Sequence, residues 1–183
     1  MLRRLKGGIM KILNFNKEEI DNIFKNLVVL IDTREQKNNH IIDFLEKKKI
    51  EYKNKKLDYG DYSFYIKANE LTFNRDLYFS NQIVIERKNS LEELSNNLAQ
   101  NRIQFENELL RKKDCKFILL VENSNLNDII TGNYNTQFNK KSYFASILTY
   151  QHRYNIHIAF IKKEYIAKYM MNSFYYFLRE EFS

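Results

Sequence analysis

The sequence predicts an α/β domain in which a mixed sheet is covered by helices on both faces. Four short runs, LVVLID (27–32), IVIE (83–86), KFILLVE (116–122) and IHIAFI (156–161), are apolar on consecutive positions, the pattern of strands buried on both sides. Stretches with helical spacing separate them, and 52–82 reads as shorter antiparallel strands with a loop near Ala68–Asn69. Strands and helices that alternate in this way build layered α/β domains.

Taken in order, MLRRLKGGIMKILNF opens a basic tail over 1–16, with Met10 a candidate start, and 17–183 form one domain. Residues 38–49 carry Ile41, Ile42 and Leu45 on one helical face. Residues 90–113 space Leu91, Leu94, Leu98, Phe105 and Leu109 for one long helix, opened by Ser90 with Glu93 three residues later, a capping box. Residues 140–155 set Phe144, Ile147, Leu148 and Gln151 together, and 164–182 form the last helix. Proline is absent and glycine occurs four times, so Gly60 and Gly132 each mark a turn or a close backbone approach.

The 183 residues are enough to bury a core, and none of their apolar runs has membrane-spanning length. A single Cys115 excludes an internal disulfide and a cysteine zinc framework; it reads as a small buried hydrophobe in a reducing compartment, the cytoplasm. The net charge of +7, with lysines and arginines clustered at 47–49, 53–56, 111–113, 140–141 and 162–163, suits a polyanion such as DNA or else a solvated surface. His40, His152 and His157 share no ligand spacing.

The acids fall in a telling place. Asp32, Glu86 and Glu122 each end an apolar run, and ligands of open α/β sheets collect beyond the carboxyl ends of strands. Asp61 follows Gly60. Period-two alternation puts Val84, Glu86 and Lys88 on one face of their strand and Ile85 with Arg87 on the other. Asp…Glu-x-Lys suits metal-dependent phosphodiester cleavage, in which Mg²⁺ takes one or two carboxylates and an ammonium offsets charge in the transition state. A surface ion pair produces the same spacing.

LIDTREQ (30–36), LDYGDY (57–62) and VIERKNSLEEL (84–94), followed by NRIQFENELL, FILLVE and SYFASILTYQHRYNIHIAFI, resemble the nuclease domain of the xeroderma pigmentosum group F (XPF) family. These are structure-specific endonucleases marked by GDXnERKXXXD. The resemblance runs from about Leu27 to about residue 165 and implies a restriction-endonuclease-like fold and cleavage of branched or flapped DNA with Mg²⁺ or Mn²⁺. It implies that Asp61 and Glu86 bind the metal, that Lys88 is the catalytic lysine, and that Asp32, Arg34 and Glu35 line the pocket. Arg87 lies within the signature, and Arg102 corresponds to a DNA-facing arginine. The last acid of the signature is Glu92, one methylene longer than the family's Asp. No room remains for the tandem helix-hairpin-helix module of many relatives, which suggests a small stand-alone member of bacterial or phage type. Rival readings are a non-catalytic DNA-binding scaffold of the same fold and a sequence-specific restriction-type nuclease.

The last helix carries a further expectation. Ile166, Ala167, Met170, Met171, Phe174, Tyr175, Phe177 and Leu178 fill half its circumference, and Tyr165, Tyr169 and Tyr176 form a separate stripe. That exceeds what one core contact needs and predicts a homodimer through residues 165–182. Members of the XPF family also pair through their nuclease domains.

Overall fold

A computed structural model describes residues 14–69 and 73–182. In chain order the elements are α1 (Lys17–Phe24), β1 (Leu27–Ile31), α2 (Asn39–Lys47), β2 (Glu51–Asn54), β3 (Tyr62–Ile66), β4 (Leu77–Tyr78) and β5 (Ile83–Lys88). Then follow α3 (Leu91–Leu98), α4 (Arg102–Arg111), β6 (Lys116–Glu122), α5 (Leu126–Thr131), α6 (Lys140–Tyr154), β7 (Ile156–Ile161) and α7 (Ile166–Phe182). The sheet order is β2-β1-β3-β5-β6-β7, with β4 also paired to β3. β3 runs antiparallel to β1 and β5, whereas β5, β6 and β7 are mutually parallel. The sheet is mixed, with helices on both faces, as expected.

Alternation along β5 divides the core in two. Ile83 and Ile85 join Val29, Ile31 and Phe64 beneath α1, α2 and α7. Val84 joins Leu119 and Val121 beneath α3, α4 and α6. Over β1 and β3 this second face is covered differently: residues 55–60 cross it, and Leu57 packs with Val28, Leu30 and Tyr65.

Several expectations change. β2 pairs parallel to β1, because α2 carries the chain back over the sheet before β2 begins, so only β3 and β4 of the 52–82 region are antiparallel. The helix expected over 90–113 breaks between Leu98 and Arg102, where Asn101 N–H bonds the Asn96 carbonyl five residues back. The asparagines at 96, 97 and 101 favour local backbone bonds over helix, which fits a break there. In α6 the buried face is Tyr143, Ile147 and Tyr150, and Leu148 is exposed, since the long tyrosines reach the core one position round from the expected stripe. Two short helices, α1 and α5, were not anticipated; each opens on an asparagine capping box.

The apolar half of α7 is buried within the chain. Ile166, Ala167, Met170, Met171, Phe174, Phe177, Leu178 and Phe182 are all buried, against α1, α2 and the sheet. Tyr175 donates to Asp21 of α1 at 2.7 Å, and Tyr169 is 3.2 Å from His157. Tyr165 and Tyr176 stay exposed. Surplus apolar area therefore gives no reason for a dimer. Of the expected basic tail, residues 1–13 lie outside the described residues. Phe15 N–H donates to the Phe182 carbonyl at 2.8 Å, and the two rings meet edge to face. No described helix is long and apolar enough to cross a membrane.

Candidate active site

Backbone geometry at Gly60 sets the position of Asp61. Gly60 has φ +71°, and a Cβ there would lie 2.9 Å from the Val84 Cβ, so both conformation and space demand glycine. The Gly60 N–H donates to Glu108 Oε1 of α4 at 2.9 Å. Asp61 N–H bonds the Ile85 carbonyl at 2.9 Å, its carbonyl accepts from Asp32 N–H at 2.7 Å, and its carboxylate accepts from Arg87 N–H at 2.8 Å. One residue thus ties together the ends of β1, β3 and β5.

Beside it, Lys88 Nζ donates to Glu86 Oε1 at 2.5 Å and lies 3.9 Å from Glu93. Both Glu86 and Lys88 are buried. Burial pushes the Glu86 carboxyl up to about 7 against the pull of Lys88, with Glu108 and Glu93 adding to the rise. Asp61 is raised well above the usual carboxylate range by burial and then by the charge of Glu86. Burial works against the Lys88 ammonium, but Glu86, Asp61 and Glu93 outweigh it and hold the group charged. Two proton-hungry carboxylates beside a fixed cation form a site short of positive charge.

On the other face of β5, the Arg87 guanidinium binds Glu35 at 2.8 Å and Glu122 at 3.3 Å. Glu122 also meets His40 Nε2 at 2.6 Å. Arg87 Nε is buried without a hydrogen-bond partner. This buried network lies across the sheet from Lys88 and fixes the direction of the strand end.

Asp32 is saturated. Its carboxylate accepts from Arg34 N–H, from the Arg34 guanidinium at 2.6 and 3.1 Å, and from Leu57 N–H at 2.6 Å. Burial alone would raise it, yet Arg34 and Leu57 hold it below its ordinary value. Arg34 also donates to the Leu57 carbonyl at 3.1 Å, so the pair braces the 55–60 crossing.

The remaining candidates stand apart from this group. Arg102 is exposed and pairs with Glu106 at 3.0 Å, which also accepts from Tyr150. Glu92 Oε1 accepts from Asn135 N–H at 2.9 Å, an anchor for the loop after Gly132, and that bond holds its carboxyl below the ordinary value. Glu93, one residue on, is the one that turns to Lys88. Glu108 was not singled out by sequence. Its only signal is a position one turn beyond Phe105 on the sheet-facing side of α4. Among the described residues no three His, Cys, Asp or Glu side chains converge to hold a metal ion. Asp61 and Glu86 form a pair, which matches the one or two carboxylates Mg²⁺ takes with water and phosphate.

The ERCC4 domain model matches residues 31–172. XPF from Aeropyrum pernix is similar in fold, with a TM-score of 0.57 and 18% identity over 84% of this chain and 60% of that one. The same protein in complex with DNA gives 0.59 and 19%, over 84% of this chain and 65% of that one. The chain therefore spans less than two thirds of those structures, and at such identity the likeness establishes the fold. No curated protein matches. Because the family model covers more than three quarters of the sequence, including GDY, ERK and the strands that carry them, this chain belongs to the ERCC4 domain family.

Proposed function

We propose that the protein is a metal-dependent endonuclease that hydrolyses phosphodiester bonds of branched or flapped DNA. The observation that supports this most is the convergence of Asp61, Glu86 and Lys88 at the joined ends of β3 and β5. Asp61 and Glu86 would hold Mg²⁺ or Mn²⁺, which supplies neutralisation of phosphate charge and acidification of water. The raised affinity of both carboxyls for protons is the mark of a donor pair awaiting a cation.

Lys88 is charged and oriented by Glu86, so its ammonium is set to donate to a non-bridging phosphate oxygen and offset charge that grows in the transition state. Arg87, through Glu35 and Glu122, holds the strand end that presents Glu86 and Lys88. Asp32 and Arg34 brace the loop that leads to Asp61. Exposed Arg102 is left for a phosphate contact outside the reacting centre. Glu92 serves its loop and not the metal. A charged Lys88 between retained acids favours catalysis over a scaffold role.

The homodimer proposed through residues 165–182 uses Tyr165 and the outer edge of β7, where Phe160, Ile161, Lys162, Tyr165, Lys168 and Tyr169 border a hollow. Light scattering on Tyr165→Glu tests that contact. The function is tested by incubating the protein with flaps, forks, nicked and plain duplexes, with Mn²⁺ and with chelator. Metal-dependent cuts near junctions are expected, and no cleavage of any member would overturn the reading.

A further inference from the structure

The sheet face that carries Glu86 and Lys88 continues past β5 onto β3 and β1, where the cover is the 55–60 crossing. At the open end of this ledge Tyr78 is 43% exposed. Its ring stacks on Tyr65 with centroids 4.8 Å apart and planes 17° from parallel. Lys55 Nζ lies 4.0 Å from the Tyr78 ring centroid. Strand register pairs Lys53 with Leu30, which puts Lys53 on the same face, and exposed Lys56 follows in the crossing. Glu51 is neutralised by Lys67 at 3.2 Å, which leaves these three lysines in excess over Asp58 and Asp76.

We infer that this ledge seats a single-stranded arm of DNA, with a base stacked on Tyr78 and phosphates taken by Lys53, Lys55 and Lys56. The inference rests on the reading of the chain as a DNA-cleaving enzyme. An accessible aromatic ring among lysines is the chemistry of sequence-tolerant single-strand binding. A duplex keeps all base faces except those of its two end pairs stacked inside, so per nucleotide it has little to offer Tyr78. Placement agrees: Tyr65 is four residues along β3 from Asp61, about 13 Å at strand rise, so a strand on the ledge leads to the acids. Lys55 lies over the ring. A cation–π contact at an exposed site is weak enough for a base to displace, which frees the ammonium for a phosphate.

The chain contains no tryptophan, so Tyr78→Trp supplies a single tryptophan on the ledge, excited at the red edge where tyrosine does not absorb. In chelator, oligo(dT) is expected to quench that emission, and a blunt duplex at equal nucleotide concentration is not. Tyr78→Ser, its fold checked by circular dichroism, should weaken oligo(dT) binding roughly tenfold. Lys55→Ala, a change at an exposed side chain, should lower the salt slope of oligo(dT) binding by about 0.7. Unquenched tryptophan, or unaltered affinity in Tyr78→Ser, overturns the ledge. Wild-type cleavage is scored separately. Quenching with no cleavage of any substrate retires the nuclease reading and leaves the ledge, whereas cleavage without quenching retires the ledge alone.

Discussion

The main chain of Arg87 holds the Asp61 carboxylate at 2.8 Å while its side chain crosses to the opposite face of the sheet and binds Glu35 and Glu122. One residue therefore sets the metal-binding candidate on one side and anchors itself on the other. Arg87→Met is expected to lower cleavage by misplacing Asp61 and to destabilise the fold, since Glu35 and Glu122 lose a buried partner, at a cost of about 3–5 kcal/mol. Urea unfolding with single-turnover cleavage on the same preparation separates the two losses.

Asp61→Asn should abolish cleavage and yet stabilise the metal-free protein at pH 8. The amide oxygen can still accept from Arg87 N–H, and the repulsion with Glu86 disappears. Thermal melts in chelator check it; an unchanged or lower melting temperature contradicts the charge argument.

Glu86 makes the metal-free protein sensitive to pH. Its folded value, about 7, lies above the ordinary 4.5, so the folded state binds the proton more tightly. That contribution is fully present below about pH 4.5 and is lost as pH rises through about 7, on the order of 3 kcal/mol in all. Glu86→Gln should flatten this decline. Urea midpoints at pH 5 and pH 8, in chelator, supply the comparison.

Glu93→Ala should slow cleavage more than Glu92→Ala. The Glu93 carboxylate accepts from Asn89 N–H, just before the Ser90 cap of α3, and lies beside Lys88, whereas Glu92 is engaged with Asn135. Single-turnover rates that fall as far for Glu92→Ala as for Glu86→Gln would return Glu92 to the metal.

Cys115 should resist alkylation in the folded protein. Burial pushes its thiol up to about 12, which leaves little thiolate near neutrality. Iodoacetamide labelling followed by mass measurement, with and without denaturant, tests this.

The central strands were legible because burial on both sides leaves an uninterrupted apolar record. The 116–122 and 156–161 runs match β6 and β7 residue for residue. β5 runs on through Arg87 and Lys88, because backbone pairing to β6 continues while the charges find partners on either face. Glu108 was illegible for a different reason. Its spacing from Phe105 tells which way it faces, but only the packing of α4 over β5 and β6 brings it to Gly60. The expectation of a surplus apolar face on α7 has a traceable origin too. α1 is eight residues long, and its sequence KEEIDNIF places only two buried residues on the core, too few to betray a helix by periodicity. Ile20 and Ile23 of α1 help cover the apolar half of α7, together with α2 and the sheet.

The Phe15–Phe182 clasp sits beside Phe73 and Phe79, at the pole where β5 begins, while Glu86 and Lys88 lie where it finishes. Phe15 and Phe182 are adjacent there, so a short linker can join them and new ends can be opened in the loop at 133–137, where Asn133, Asn135 and Gln137 are exposed. Such a circular permutant keeps every strand neighbour. A tether or surface attachment made at the clasp likewise leaves the opposite pole unobstructed.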